Sequence, residues 1–143
     1  MKIKDILESE DWITVGQREY RKKIIPNPFP NSKINSEMYH GSRSTMPITK
    51  FNRPPEGVWF AEFPEWSERY YGKVYCCYLN VKNPYYPTDD ENDEYYGEMD
   101  KIGVFFNKLQ KEGYDAYIQG GESGSVAVFD TVEIVNALTG ERL

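Results

Sequence analysis

The sequence predicts an α+β domain, and three observations carry that expectation. About six short strand-like runs are spread along the 143 residues. Two helical patterns sit between them without the regular strand-helix alternation of a doubly wound parallel sheet. The hydrophobic fraction of 39% and the chain length suit one compact domain with a real core.

The elements follow in order. Ile3, Ile6 and Leu7 fall at helical spacing, so Lys2 to Glu8 is expected as a short amphipathic helix. Three alternate prolines, Pro26, Pro28 and Pro30, enforce an extended connector. Residues 1 to 35 are therefore read as an N-terminal extension packed on a core domain of residues 36 to 143. Glu37 to His40 alternates like a strand, and the polar, proline-punctuated stretch from Ser42 to Glu56 is a long loop. Gly57 to Ala61 is a short apolar strand, and Pro64-Glu65 opens a helix through Trp66 and Tyr70 to a stop at Gly72. The β-branched and aromatic run Val74 to Val81 is expected at a buried, central position.

After Asn83-Pro84 comes an acidic, tyrosine-bearing loop, then a helix from about Glu98 to Glu112. Met99, Ile102, Phe106 and Leu109 recur at three, four and three residues, so all four are expected to face the core, with Gly113 as the C-terminal stop. Strands are expected at Tyr114 to Ile118, Ser125 to Asp130 and Val132 to Val135, the first two joined by the turn Gly120-Gly121-Glu122-Ser123-Gly124.

Composition narrows the function classes. A net charge of -6 argues against binding nucleic acid through a generally basic surface. Arg18 to Lys23 is the one cationic cluster and Asp89 to Glu94 its acidic counterpart, each expected as a solvated face or loop. The adjacent Cys76 and Cys77 would point to opposite faces of a strand, which speaks against a shared disulfide and for a reducing, cytosolic setting. With one histidine and that cysteine pair, no metal site is expected. No apolar run approaches the roughly 20 residues of a membrane span, so no membrane partner is expected.

The chemistry concentrates between Tyr39 and Tyr71. His40, the single histidine, precedes Gly41 and Ser42; Gly57-Val58-Trp59-Phe60 follows, then Ser67 and Tyr70. A glycine after a histidine lets a planar ligand group approach the backbone. Trp59 and Tyr70 offer rings that could sandwich a flat cationic heterocycle. Taken as plain structure, a lone strand histidine is a satisfied core residue, one of Trp59 and Phe60 is core, and the glycines from 120 to 124 are a hairpin turn.

In order and spacing, these segments resemble the signature regions of the ADP-ribosyltransferase superfamily, on its diphtheria-toxin-like and poly(ADP-ribose)-polymerase-like side. Ser125-Val126-Ala127-Val128-Phe129-Asp130 is similar to that family's last signature strand. The resemblance spans roughly residues 37 to 136, and the compact build is reminiscent of phage or bacterial accessory proteins. It implies a split mixed or antiparallel sheet core with two main helices, NAD⁺ as co-substrate, and transfer of ADP-ribose to a macromolecular acceptor, protein in preference to nucleic acid. It implies that His40, Gly41, Ser42, Trp59, Phe60, Ser67 and Tyr70 surround NAD⁺, with Phe60 the core-facing residue of its strand. His40 and Tyr70 would take part in catalysis. The family's catalytic glutamate corresponds to Ser125 here, which leaves Glu122 as the nearest substitute carboxylate. A catalytically silent NAD⁺-binding, ADP-ribose-binding or protein-interaction module of the same fold is the alternative. A third reading, action on nucleic acid, would use Arg18 to Lys23 as a phosphate patch.

Overall fold

The computed structural model describes residues 12–15, 18–21, 25–42, 48–64, 73–121 and 124–143, the first two segments as backbone. The expected helices at Lys2 to Glu8 and beyond Pro64, with Ser67, Tyr70 and Glu122, lie outside the described residues. A hairpin of β1 (Trp12–Val15) and β2 (Arg18–Arg21) comes first. Among the described residues the main body has seven strands: β3 (Met38–Ser42), β4 (Val58–Phe60), β5 (Lys73–Leu79), β6 (Pro84–Tyr85), β7 (Ala116–Gly120), β8 (Ser125–Val128) and β9 (Ile134–Asn136). Two helices, α1 (Asp89–Tyr95) and α2 (Met99–Lys111), lie between β6 and β7. The fold is α+β, as the sequence predicts.

The main strands form an antiparallel sheet of order β3-β5-β9 and a mixed sheet of order β4-β8-β7-β6, in which only β6 and β7 run parallel. Strand alternation sorts the side chains into three cores. Between the sheets, Met38, Tyr75, Cys77, Leu79 and Ile134 meet Val58, Phe60, Val126 and Val128. On the far face of the four-stranded sheet, Tyr117, Ala127 and Phe129 meet Ile102, Phe106 and Leu109 of α2. On the far face of the three-stranded sheet, Cys76, Tyr78 and Val135 are covered by Phe29 and Ile25. Cys76 and Cys77 thus point into different cores, as neighbouring strand residues must, and both are free. β5 is the central strand of its sheet, as its continuous apolar character predicts.

The segment after residue 25 adheres through backbone bonds: Ile25 N–H donates to Ala137 O (2.7 Å) and Lys33 N–H to Val81 O (2.7 Å). Buried Ser32 bridges β5 and its exit, donating to Leu79 O (2.6 Å) and accepting from Val81 N–H (3.0 Å). Gly57 turns the chain into β4 at φ +79°, where a β-carbon would stand 3.2 Å from Ala127 Cβ and 3.3 Å from Val128 O. Only glycine satisfies both constraints. At the end of α2, Gly113 takes φ +96° and caps Gln110 O, the expected stop.

Two expectations are corrected. Met99 is 51% exposed, because it begins α2, a turn before the helix reaches the sheet, and only Ile102, Phe106 and Leu109 reach the core. The acidic stretch after Pro84 is α1 and not a loop. No residue of α1 is buried; a capping box between Thr88 and Glu91 starts it, and Tyr85 Oη donates to Glu91 Oε2 (2.8 Å). Tyr117 Oη donates to Asn92 Oδ1 (2.5 Å), and the Tyr95 and Phe105 rings stack at 4.6 Å. The Glu91 carboxylate, by accepting from Tyr85, pushes that phenol up to about 12.

Phe106, fully buried and flanked by Tyr117 at 5.0 Å and Phe129 at 4.9 Å, is the main tie between α2 and its sheet. Phe106→Ala should cost about 3–5 kcal/mol in urea unfolding. A loss under about 1 kcal/mol would mean that α2 is not docked this way.

Candidate functional site

The candidate site lies where the two sheets part. Tyr39 and Ala61 form one complete antiparallel rung, each N–H donating to the other's carbonyl at 2.8 Å. Continuation of that ladder would pair Gly41 with Trp59, two residues further on each strand. It does not. The carbonyl of Trp59 instead accepts from His40 Nδ1 at 2.8 Å, so an imidazole occupies the place of the next rung.

Two consequences follow from the geometry. Backbone polar groups alternate in direction along a strand, so those of Gly41 point the same way as those of Tyr39, toward β4. No hydrogen bond to a described residue completes them, and a peptide N–H and C=O are left side by side in the gap. Meanwhile a carbonyl can only accept, so Nδ1 carries the ring proton and Nε2 of the neutral ring is a lone-pair acceptor. Burial pushes the His40 ring below its ordinary 6.5, an effect that outweighs the opposing hydrogen bond to Trp59. The neutral form is thereby favoured at neutral pH.

Aromatic contacts fix the imidazole. Phe51 meets it edge-on at 4.8 Å and Phe60 at 5.5 Å. Phe51 comes from the long loop, held by its N–H to Leu143 O (3.0 Å) and by Ile48 N–H to Tyr75 Oη (3.0 Å). Sequence reasoning missed Phe51, since an aromatic in a polar loop has no periodic neighbours to reveal its direction.

Of the residues expected around NAD⁺, the structure brings His40, Gly41, Ser42 and Phe60 together. Phe60, 2% exposed, is core that backs the imidazole. Trp59 goes elsewhere: its ring packs on Phe106 (6.1 Å) and Tyr117 (6.3 Å), and Nε1 donates to Glu56 O (2.8 Å). Adjacent residues of a strand face opposite ways, so the indole lies across β4 from the imidazole, and a stacking surface beside His40 is not built from it. What Trp59 gives the gap is its carbonyl. Ser42 and Ser125 are half-buried and engaged with other groups. Ser125 opens β8, one residue before Val126, which pairs with Phe60.

Glu62 is a second residue that sequence reasoning missed. A β-carbon on Gly124, at φ +60°, would stand 2.6 Å from Glu62 Cβ, so this carboxylate side chain lies directly against the turn before Ser125. Its backbone follows Ala61, the residue of the single rung. Among the described residues no group of three or more His, Cys, Asp or Glu could hold a metal ion, and no helix is long and apolar enough to cross a membrane.

Fold and site together define an α+β protein of two facing sheets whose shared edge is opened by a histidine. No family model and no curated protein matches the chain. A solved structure described as that of an anti-CRISPR protein aligns with a TM-score of 0.44 and 12% identity, over 80% of this chain and 99% of that one. So loose a likeness carries no argument about either fold or function.

His40 is the single histidine, so its titration can be isolated. Its folded pKa lies below the unfolded value, so protonation favours unfolding. The stability it confers is complete above about pH 6.5 and declines as pH falls through that value toward the folded pKa. Urea midpoints measured from pH 7.5 to 5.5 should fall, and His40→Gln should flatten that decline. An unchanged slope in the variant would place the imidazole in water.

Proposed function

We propose that the protein is an NAD⁺-dependent mono-ADP-ribosyltransferase that uses the gap beside His40 and passes ADP-ribose to a macromolecular acceptor, protein in preference to nucleic acid. The observation that carries this reading is the interrupted rung. Gly41 offers one N–H and one C=O side by side, and a nicotinamide carboxamide carries the matching acceptor and donor. Nε2 of a neutral His40 suits a ribose hydroxyl as donor. The order of His40-Gly41-Ser42, Gly57-Val58-Trp59-Phe60 and Ser67 to Tyr70 along the chain supports the same assignment.

Cleavage of the bond to nicotinamide develops positive charge on the ribose, which a nearby carboxylate stabilises more in the transition state than in the ground state. Ser125 supplies no such charge. Glu62, set against the turn at Gly124, and Glu122, two residues before that glycine in the sequence, are the carboxylates that would serve. The serine also favours a specific second reading, a silent module of the same fold that holds NAD⁺ or ADP-ribose, or engages a partner, without turnover.

The purified protein, incubated with NAD⁺ and cell extract, should release nicotinamide and leave ADP-ribose adducts detectable by mass spectrometry. His40→Ala should lower that release by about 100-fold or more, and Glu62→Gln or Glu122→Gln by a similar factor if that residue is the working carboxylate. Calorimetric binding of NAD⁺ with no nicotinamide release would select the silent module. Absence of both binding and turnover sinks the nucleotide reading.

A further inference from the structure

The groove between α2 and the turn at residues 53 to 56 belongs to no part of that reading. It encloses about 500 Å³ and runs along the α2 face from Met99 and Asp100 through Gly103 and Val104 to Asn107 and Gln110. From Met99 to Gln110 the helix rises by eleven steps of 1.5 Å, about 16 Å, the span of four or five residues of extended chain, with Pro55 standing against Gly103 at mid-length. Its apolar lining comes from Pro55, Met99 and Val104, its charge from Glu56, Asp100 and Asp130 against Arg53. Arg53 is already engaged, donating from Nη1 to Phe129 O at 3.0 Å and lying within the field of Asp130.

A second patch of charge and exposed apolar surface lies across α2 from the groove, on the β6 edge of the sheet, where the Tyr95 ring stacks on Phe105. Residues 86 to 104 hold seven of the twenty-three acidic side chains and one of the seventeen basic ones, leaving the rest of the chain with sixteen of each. The whole net charge of -6 therefore resides in this one stretch. Among the large apolar side chains exposed to solvent, Tyr86 (69%), Tyr96 (78%), Met99 (51%) and Val104 (75%) belong to the same stretch. Helix α1 buries none of its residues, yet it is fixed by its capping box and by the bonds from Tyr85 and Tyr117. Tyr and Met are side chains that interface centres favour, and a concentrated acidic field steers a cationic partner.

We propose that this groove docks a basic segment of a partner protein, an extended stretch in which Lys or Arg alternates with aliphatic residues. The aliphatic side chains fill the space between Pro55 and Val104, and the cations meet Glu56, Asp100 and Asp130. The acidic field repels the phosphates of nucleic acids and anionic lipid headgroups, which selects protein over either. The inference stands apart from NAD⁺ chemistry and holds whether or not nicotinamide is released.

A fluorescein-labelled peptide of about twelve residues alternating Lys or Arg with Leu tests it by anisotropy and by amide chemical shifts of the full chain. A peptide with Ser in place of Leu and a single-stranded DNA of about 20 nucleotides serve as comparisons. The Leu peptide should bind, shift the Gly103, Val104, Asn107 and Asp130 amides, and weaken with added salt. Val104→Ser and the pair Glu56→Gln with Asp100→Asn should each weaken it at least tenfold. No binding, unchanged affinity in those variants, equal binding of the Ser peptide, or DNA shifting the same amides would each overturn the proposal.

Discussion

The hydrogen bond from His40 Nδ1 to the Trp59 carbonyl decides the form of this protein's centre. It stands where the next rung of the β3–β4 ladder would fall beyond Tyr39–Ala61. Beyond that rung the sheets face one another across a shared apolar core. The imidazole satisfies a carbonyl that the open ladder would otherwise leave without a partner, and burial favours the neutral ring, which leaves Nε2 as an acceptor. One side chain thus serves as spacer, donor and, through Nε2, acceptor.

The surrounding structure is arranged to hold that side chain still. Phe60, from the buried face of β4, backs the ring, and Phe51 closes over its edge from a loop anchored to the last residue of the chain. Strand β4 is in turn fixed from behind, where Trp59 packs on Phe106 of α2. The Trp59 peptide therefore couples two cores: its ring belongs to the helix side and its carbonyl to the gap.

The acidic face follows a different logic. Helix α1 buries no residue, adds only the Tyr95 ring to the edge of the helix-side core and concentrates negative charge, which is unfavourable self-repulsion for an isolated chain. Its retention depends on local bonds: Thr88 with Glu91 at its start, and tyrosines of the neighbouring strands donating to Glu91 and Asn92. Those bonds hold a polar element at a defined place on the Phe105 flank of α2, across the helix from the Pro55 groove.

The sequence by itself determined whatever depends on periodicity. Apolar and alternating runs located six of the seven strands described in the main body, all but the two-residue β6, set Cys76 and Cys77 on opposite faces and made β5 central. The three-four spacing of Ile102, Phe106 and Leu109, with Gly113 behind them, located α2. It also singled out His40-Gly41 by composition alone. Helix α1 escaped because its stabilising contacts are polar and leave no apolar period, although Thr88 and Glu91 carry the spacing of a capping box. The tertiary structure alone decided which way each strand turned its faces and where the ladder would stop. That choice sent the Trp59 ring to α2, its carbonyl to His40, and Phe51 from an aperiodic loop onto the imidazole. Contacts between residues distant in sequence set those directions, and no local pattern encodes them.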